Sequence, residues 1–131
     1  MRNAVKAIIF SLRLAGLAAT LFLAGLTAVR AQELTLYMVD QAGCAYCIRW
    51  EEEVGDAYHL TAEGRVAPLV RVDLHDALPE SVSFARRAVF TPTFVLIRDG
   101  KELERIEGYP GEDFFYGLLG MMLQNAGVTP R

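Results

Sequence analysis

The spacing of apolar residues changes character along the chain, and each change marks an element. Leu34-Thr-Leu-Tyr-Met-Val39 has the β-branched and aromatic content of a short buried strand, and Asp40-Gln-Ala-Gly43 supplies the turn that ends it. From Cys44 the period becomes helical. Cys47, Trp50 and Val54 fall on one face, while Arg49 and Glu51 to Glu53 wet the other. Residues 55–66 carry no clear period and read as a helix end plus loop. Leu69-Val-Arg-Val-Asp73 predicts a second strand, and reaching it across a helix implies a parallel crossover.

Residues 76–88 predict a second helix that begins near Pro79, with a ragged apolar face. Thr93-Phe-Val-Leu-Ile97 is a third strand, Asp99-Gly100 signals a hairpin, and Glu102-Leu-Glu-Arg-Ile-Glu107 alternates as a half-exposed edge strand does. From Glu112 the apolar pairs Phe114/Phe115, Leu118/Leu119 and Met122/Leu123 take the four-residue step of a helix packed on a sheet, and Gly127 stops it. The predicted order is β-α-β-α-β-β-α, an α/β fold.

The first thirty-one residues are expected to be an export signal. Arg2 and Lys6 give a basic start, residues 14–29 are rich in Leu and Ala, and Val29-Arg30-Ala31 is a small-residue cleavage site. The competing expectation is an uncleaved membrane anchor, since the apolar run can be stretched back to Ala7. Arg13 interrupts that longer run. Cleavage after Ala31 leaves residues 32–131, the size of one compact domain. The leader takes four basic residues and no acidic ones, so the remainder has nine Lys and Arg against sixteen Asp and Glu, a net of −7. That balance argues against a nucleic-acid partner.

The chain has two cysteines, Cys44 and Cys47, spaced Cys-x-x-Cys directly after the first predicted strand. Residues three apart share a helical face, so their sulfurs can close a disulfide without dragging the backbone. At a helix start the first sulfur meets unpaired N–H groups and the positive end of the helix dipole, which favours thiolate. This makes Cys44 the candidate nucleophile and Cys47 the resolving thiol. The same spacing also serves zinc or copper half-sites and structural disulfides. Export makes a disulfide chemically durable, but a bridge over so short a loop constrains the unfolded chain little. For zinc, His59 and His75 are the other good ligand candidates, and sixteen residues with a strand between them do not make a paired half-site. No metal and no cofactor beyond the dithiol is expected.

Cys-x-x-Cys between a strand and a helix, in this element order, resembles the thioredoxin fold in its minimal form, a four-stranded mixed sheet flanked by helices. Thr91-Pro92-Thr93-Phe94, followed by Asp99-Gly100-Lys101, is similar to the stretch that carries that family's second hallmark, a cis-proline facing the dithiol. An arbitrary X–Pro bond is cis only about one time in twenty, so a cis Pro92 is what the resemblance implies. It also implies that Thr91 offers backbone beside Pro92 to a bound partner, with Ala45 and Tyr46 completing the substrate-binding surface.

Three segments together resemble the SoxS-type periplasmic thioredoxins of sulfur-oxidising bacteria: the Gly43-Cys44-x-x-Cys47-x-x-Trp50 segment, the Thr91-Pro92 strand and Gly108-Tyr109-Pro110-Gly111-Glu112-Asp113-Phe114-Phe115. This implies a periplasmic reductant of a cysteine-bearing partner, such as the sulfur-carrier protein of thiosulfate oxidation, re-reduced by a membrane thiol-electron transporter. The chain departs from ordinary cytosolic thioredoxin in three ways. Gly43 replaces the Trp before the first Cys, Met38 stands where a buried carboxylate usually assists the second thiol, and uncharged Ala45-Tyr46 replaces Gly-Pro. Trp50 is expected in the core and Glu51 to Glu53 on a solvated face, while Tyr109 either caps the sheet near the active end or packs under the last helix. An envelope disulfide oxidase or isomerase, and from another class a Cu(I)-binding chaperone module, are the alternatives.

Overall fold

The structure is a computed structural model that describes residues 33–131; the predicted export segment, residues 1–31, lies outside the described residues. The chain runs β1 (Leu34–Asp40), α1 (Ala45–Glu53), a 3₁₀ turn (Gly55–Leu60), α2 (Ala62–Val66), β2 (Leu69–Asp73), β3 (Thr93–Arg98), β4 (Lys101–Glu107) and α3 (Glu112–Asn125). The strands pair in the order β2-β1-β3-β4. β1 and β2 are parallel, as a crossover through α1 requires, and β1–β3 and β3–β4 are antiparallel.

One face of the sheet carries most of the core. Leu36 and Met38 of β1, Phe94 and Leu96 of β3 and Ile106 of β4 meet Trp50 of α1, Val54 just beyond it, and Phe115, Leu119 and Leu123 of α3. Its centre is aromatic: the Trp50 ring lies 5.5 Å from Phe94 and 5.9 Å from Phe115, and Phe94 lies 4.8 Å from Phe115. Such tilted and edge-on pairs each add about 0.5–1.5 kcal/mol beyond their buried area. Asp99 (φ 51°) and Gly100 (φ 76°) form the two-residue hairpin turn, and a Cβ on Gly100 would come within 2.0 Å of the Ser81 carbonyl oxygen. α3 ends where Gly127 (φ 75°) donates to the Gln124 carbonyl and Val128 to that of Leu123, the paired bonds of a glycine-terminated helix.

Three expectations are corrected. Residues 55–66 are helical rather than loop: Thr61 caps α2 by accepting the Gly64 N–H at 2.9 Å. A one-turn helix is too short to print a period on the sequence. The helix predicted over residues 76–88 does not form. That segment crosses the second sheet face in irregular conformation, with Phe84 edge-on to Tyr37 at 6.0 Å and Val82 packed against the same cluster. Val82 and Phe84 stand two apart, the period of extended chain. Bonds from β4 hold the segment: Glu102 accepts the Ala85 N–H at 2.7 Å, and Arg105, ion-paired to Glu102, donates to the Arg86 carbonyl. Finally, a register shift opposite Leu96 and Ile97 leaves Leu103 unpaired and exposed, while Glu102 turns inward to Arg105.

Candidate active site

Gly43, at φ 76°, turns the chain from β1 into α1, a backbone conformation that favours glycine. Cys44 follows as the N-cap of α1 with extended backbone, and its Sγ accepts the Cys47 N–H at 3.1 Å. A sulfur thus takes the place of the oxygen that usually caps a helix. The first turn of α1 holds no acidic residue, so the positive helix end acts on Cys44 unopposed. Cys44 and Cys47 form a disulfide with 5.2 Å between their Cα atoms. They are 9 % and 8 % exposed, whereas Tyr46 between them is 59 % exposed.

Antiparallel pairing sets Val39 opposite Thr93, so the chain entering β3 arrives at the end of the sheet from which the Cys44 turn departs. The Thr91–Pro92 bond is cis and Pro92 is fully buried. The Pro92 carbonyl accepts the Gly108 N–H at 2.7 Å, and Thr93 Oγ1 donates to the Phe90 carbonyl at 2.7 Å. Gln41 joins this loop to the dithiol turn. Its carbonyl accepts the Cys44 N–H at 3.3 Å, and its Nε2 donates to Thr91 Oγ1 at 2.9 Å. Sequence reading assigned Gln41 only to a turn, yet a long amide among turn residues has hydrogen bonds to make and signals such a contact.

Met38 is fully buried in the cluster that includes Cys47 and Trp50, so apolar packing fills the β1 position where a carboxylate was found to be missing. Two residues on, and therefore on the same face of β1, Asp40 pairs with Arg71 Nη1 at 3.4 Å. Arg71 also pairs with Glu51 of α1, and its guanidinium lies 5.7 Å from the Trp50 ring centre. Burial pushes the Asp40 carboxyl above the usual range; Arg71 opposes this, while Asp73 and Glu51 add to it.

Of the two placements expected for Tyr109, packing under the last helix is the one that forms. Its ring packs edge-on against Phe115 at 6.1 Å, and its hydroxyl donates to Glu53 Oε2 at 2.6 Å. Glu53 also accepts from Arg49 Nε at 2.8 Å. The Tyr109 bond and then Arg49 hold the Glu53 carboxyl below its ordinary range. The predicted solvated face of α1 is thus partly tied down, through Glu51 and Glu53. His59 and His75 are exposed on separate segments, and among the described residues no three His, Cys, Asp or Glu side chains gather as a metal site.

The family model of the thioredoxin-like domain matches residues 24–122. The chain belongs to the thioredoxin-like family. The crystal structure of the periplasmic thioredoxin SoxS from Paracoccus pantotrophus, in its reduced form, is similar at a TM-score of 0.70 and 49 % identity, covering 72 % of this chain and 99 % of that one. No curated protein matches the chain. With this fold and a redox-active Cys-x-x-Cys disulfide, the thioredoxin-like domain is a thiol–disulfide oxidoreductase.

Proposed function

We propose that this thioredoxin works in the periplasm as a reductant of protein disulfides. The observation that carries the reading is a Cys-x-x-Cys capping α1 in a domain 49 % identical to a periplasmic thioredoxin over 99 % of that chain. In the reduced enzyme the Cys44 thiolate attacks one sulfur of a partner disulfide. A mixed disulfide forms and the partner's other sulfur leaves as a thiolate. Cys47 then attacks Cys44 Sγ, closing the Cys44–Cys47 disulfide and releasing the partner's second thiol, so two electrons pass to the partner. Thr91 and cis Pro92 supply backbone beside the attacked sulfur, and Ala45 and Tyr46 the neighbouring surface.

The partner we propose is the cysteine-bearing sulfur carrier of a thiosulfate-oxidising system, with a membrane thiol transporter returning the enzyme to its dithiol. Support for this partner is the likeness to SoxS-type thioredoxins. Uncharged Ala45-Tyr46 favours reduction over oxidation, because it adds no charge to stabilise the Cys44 thiolate beyond the helix terminus. The equilibrium potential of the couple tests the direction. A value near the roughly −270 mV of thioredoxin supports a reductant, and one near the roughly −120 mV of a strong oxidant overturns it. Expressing Cys47→Ser in cells and identifying the protein held on Cys44 tests the partner; an adduct with an unrelated protein alone would overturn that assignment.

A further inference from the structure

α3 buries Phe115, Leu119, Met122 and Leu123, but its outer side is not the polar surface an amphipathic helix normally presents. Phe114 is 70 % exposed and Met121 54 % exposed, and with Gly117 and Leu118 they frame an apolar groove. These positions recur at steps of three and four residues, so they form one continuous stripe. Gly117 and Gly120 lie in the middle of this helix, where glycine is unfavourable relative to alanine. A Cβ at either would meet nothing within 4 Å, so packing among the described residues does not call for them. At Gly117 bare backbone lies open between two large apolar side chains.

Leu118 also borders a second groove, lined by Tyr46 and the stretch from Ile106 to Pro110, in which Glu107 is the one charged residue. An apolar track therefore leads from between the two cysteines onto α3. Phe114 to Met121 adds about 10 Å of helix to it, the reach of about three extended residues. A sulfur in exchange must stand at Cys44, so the chain that carries it already passes the near end of this track. Asp113 lines the α3 groove beside Phe114, and exposed Glu112 precedes it, which suits a basic segment better than an acidic one.

Resting on the exchange reaction proposed above, we propose that the outer stripe of α3 is a docking surface for the disulfide-bearing partner protein. An extended segment next to the partner's reactive cysteine runs past Tyr46 and places an apolar side chain against Gly117, between Phe114 and Met121. Affinity for the partner then depends on a surface that a small disulfide never touches.

The test uses the reduced chain as purified after export and two symmetrical peptide disulfides. Each peptide has a central cysteine; one carries Leu and Phe on its arms and the other Ser at the same positions. The apolar peptide should react about tenfold faster, because apolar burial beside the exchange site adds to binding. The double variant Phe114→Ser/Met121→Gln and the single variant Gly117→Gln should each abolish most of that advantage, while dithiobis(nitrobenzoate) reacts at the unaltered rate. Gly117→Gln should also raise the thermal midpoint, which separates loss of docking from loss of folding. An advantage that survives in the variants overturns the proposal. So does a homodimer, seen by sedimentation, or binding to phosphatidylcholine vesicles that the same variants abolish. If the unaltered reduced chain fails to react with dithiobis(nitrobenzoate), the exchange reading itself falls.

Discussion

Gln41 bonds to both halves of the active site: its Nε2 reaches Thr91 Oγ1 at 2.9 Å while its carbonyl accepts the Cys44 N–H. The two loops leave neighbouring strands β1 and β3 at the same end of the sheet. Strand pairing aligns them only to the level of the strand ends, and Gln41 ties Thr91 to the Cys44 backbone across the remaining gap.

Gln41→Ala and Thr91→Val should each slow reduction of a protein disulfide, and the double variant should be little worse than either single one. The coupling expected for one such bond is about 1 kcal/mol, or roughly fivefold in rate. Thr91→Ser keeps the hydroxyl and should stay near the unaltered rate. Fully additive losses in a double-mutant cycle of kcat/KM would show that the two side chains act separately.

Asp40 should make the fold less stable at neutral pH than in mild acid. Its carboxyl titrates above the ordinary range, chiefly through burial. The folded state therefore binds this proton more tightly than the unfolded chain, and that contribution is lost as pH rises through the raised value. Asp40→Asn should have the higher thermal midpoint at pH 7, with the gain vanishing as pH falls below the usual carboxylate range. A deficit at pH 7 would mean that the Arg71 ion pair outweighs the cost of burial.

Glu53 has the opposite sign. Its carboxyl is held low by Tyr109 and then by Arg49, so its contribution is present above the unfolded pKa and is lost as pH falls through the depressed folded value. Tyr109→Phe removes the first of these partners. Glu53 should then titrate closer to its ordinary range by NMR, and the variant's stability deficit should shrink in acid.

Trp50 joins the site to the core, being fully buried against Phe94, Phe115 and Tyr58 one turn beyond Cys47. Trp50→Ala should cost about 3–5 kcal/mol in urea unfolding, a large part of the stability of a domain this size. A cost within the range of surface substitutions would show that the aromatic cluster does not support α1.

Most of the fold was legible because its elements carry strong local periods. The second strand, Leu69–Asp73, was read to the residue, and the other strands to within a residue at each end. What was missed lacks such a period. α2 is a single turn, and the segment over the second sheet face is held by Arg105 and Glu102 rather than by a face of its own. Leu103 was misjudged because a register shift breaks the alternation on which the reading rested. In the site, Cys44 and Cys47 stood out by their spacing, and Thr91 and Pro92 through the resemblance of Thr91-Pro92-Thr93-Phe94 to the thioredoxin family's second hallmark. Gln41, Asp40 and Arg71 did not, since their roles depend on contacts 20 to 50 residues away in the chain.

The central claim is that Cys44 attacks and Cys47 resolves, and single-cysteine variants treated with dithiobis(nitrobenzoate) test it most directly. Reduced Cys47→Ser should react rapidly and keep one nitrothiobenzoate on Cys44 as a stable mixed disulfide. Cys44→Ser should react more slowly by at least roughly tenfold, because Cys47 lacks the helix-end position that favours thiolate. Equal rates for the two variants, or a stable adduct found on Cys47 instead, would contradict the assigned order of attack.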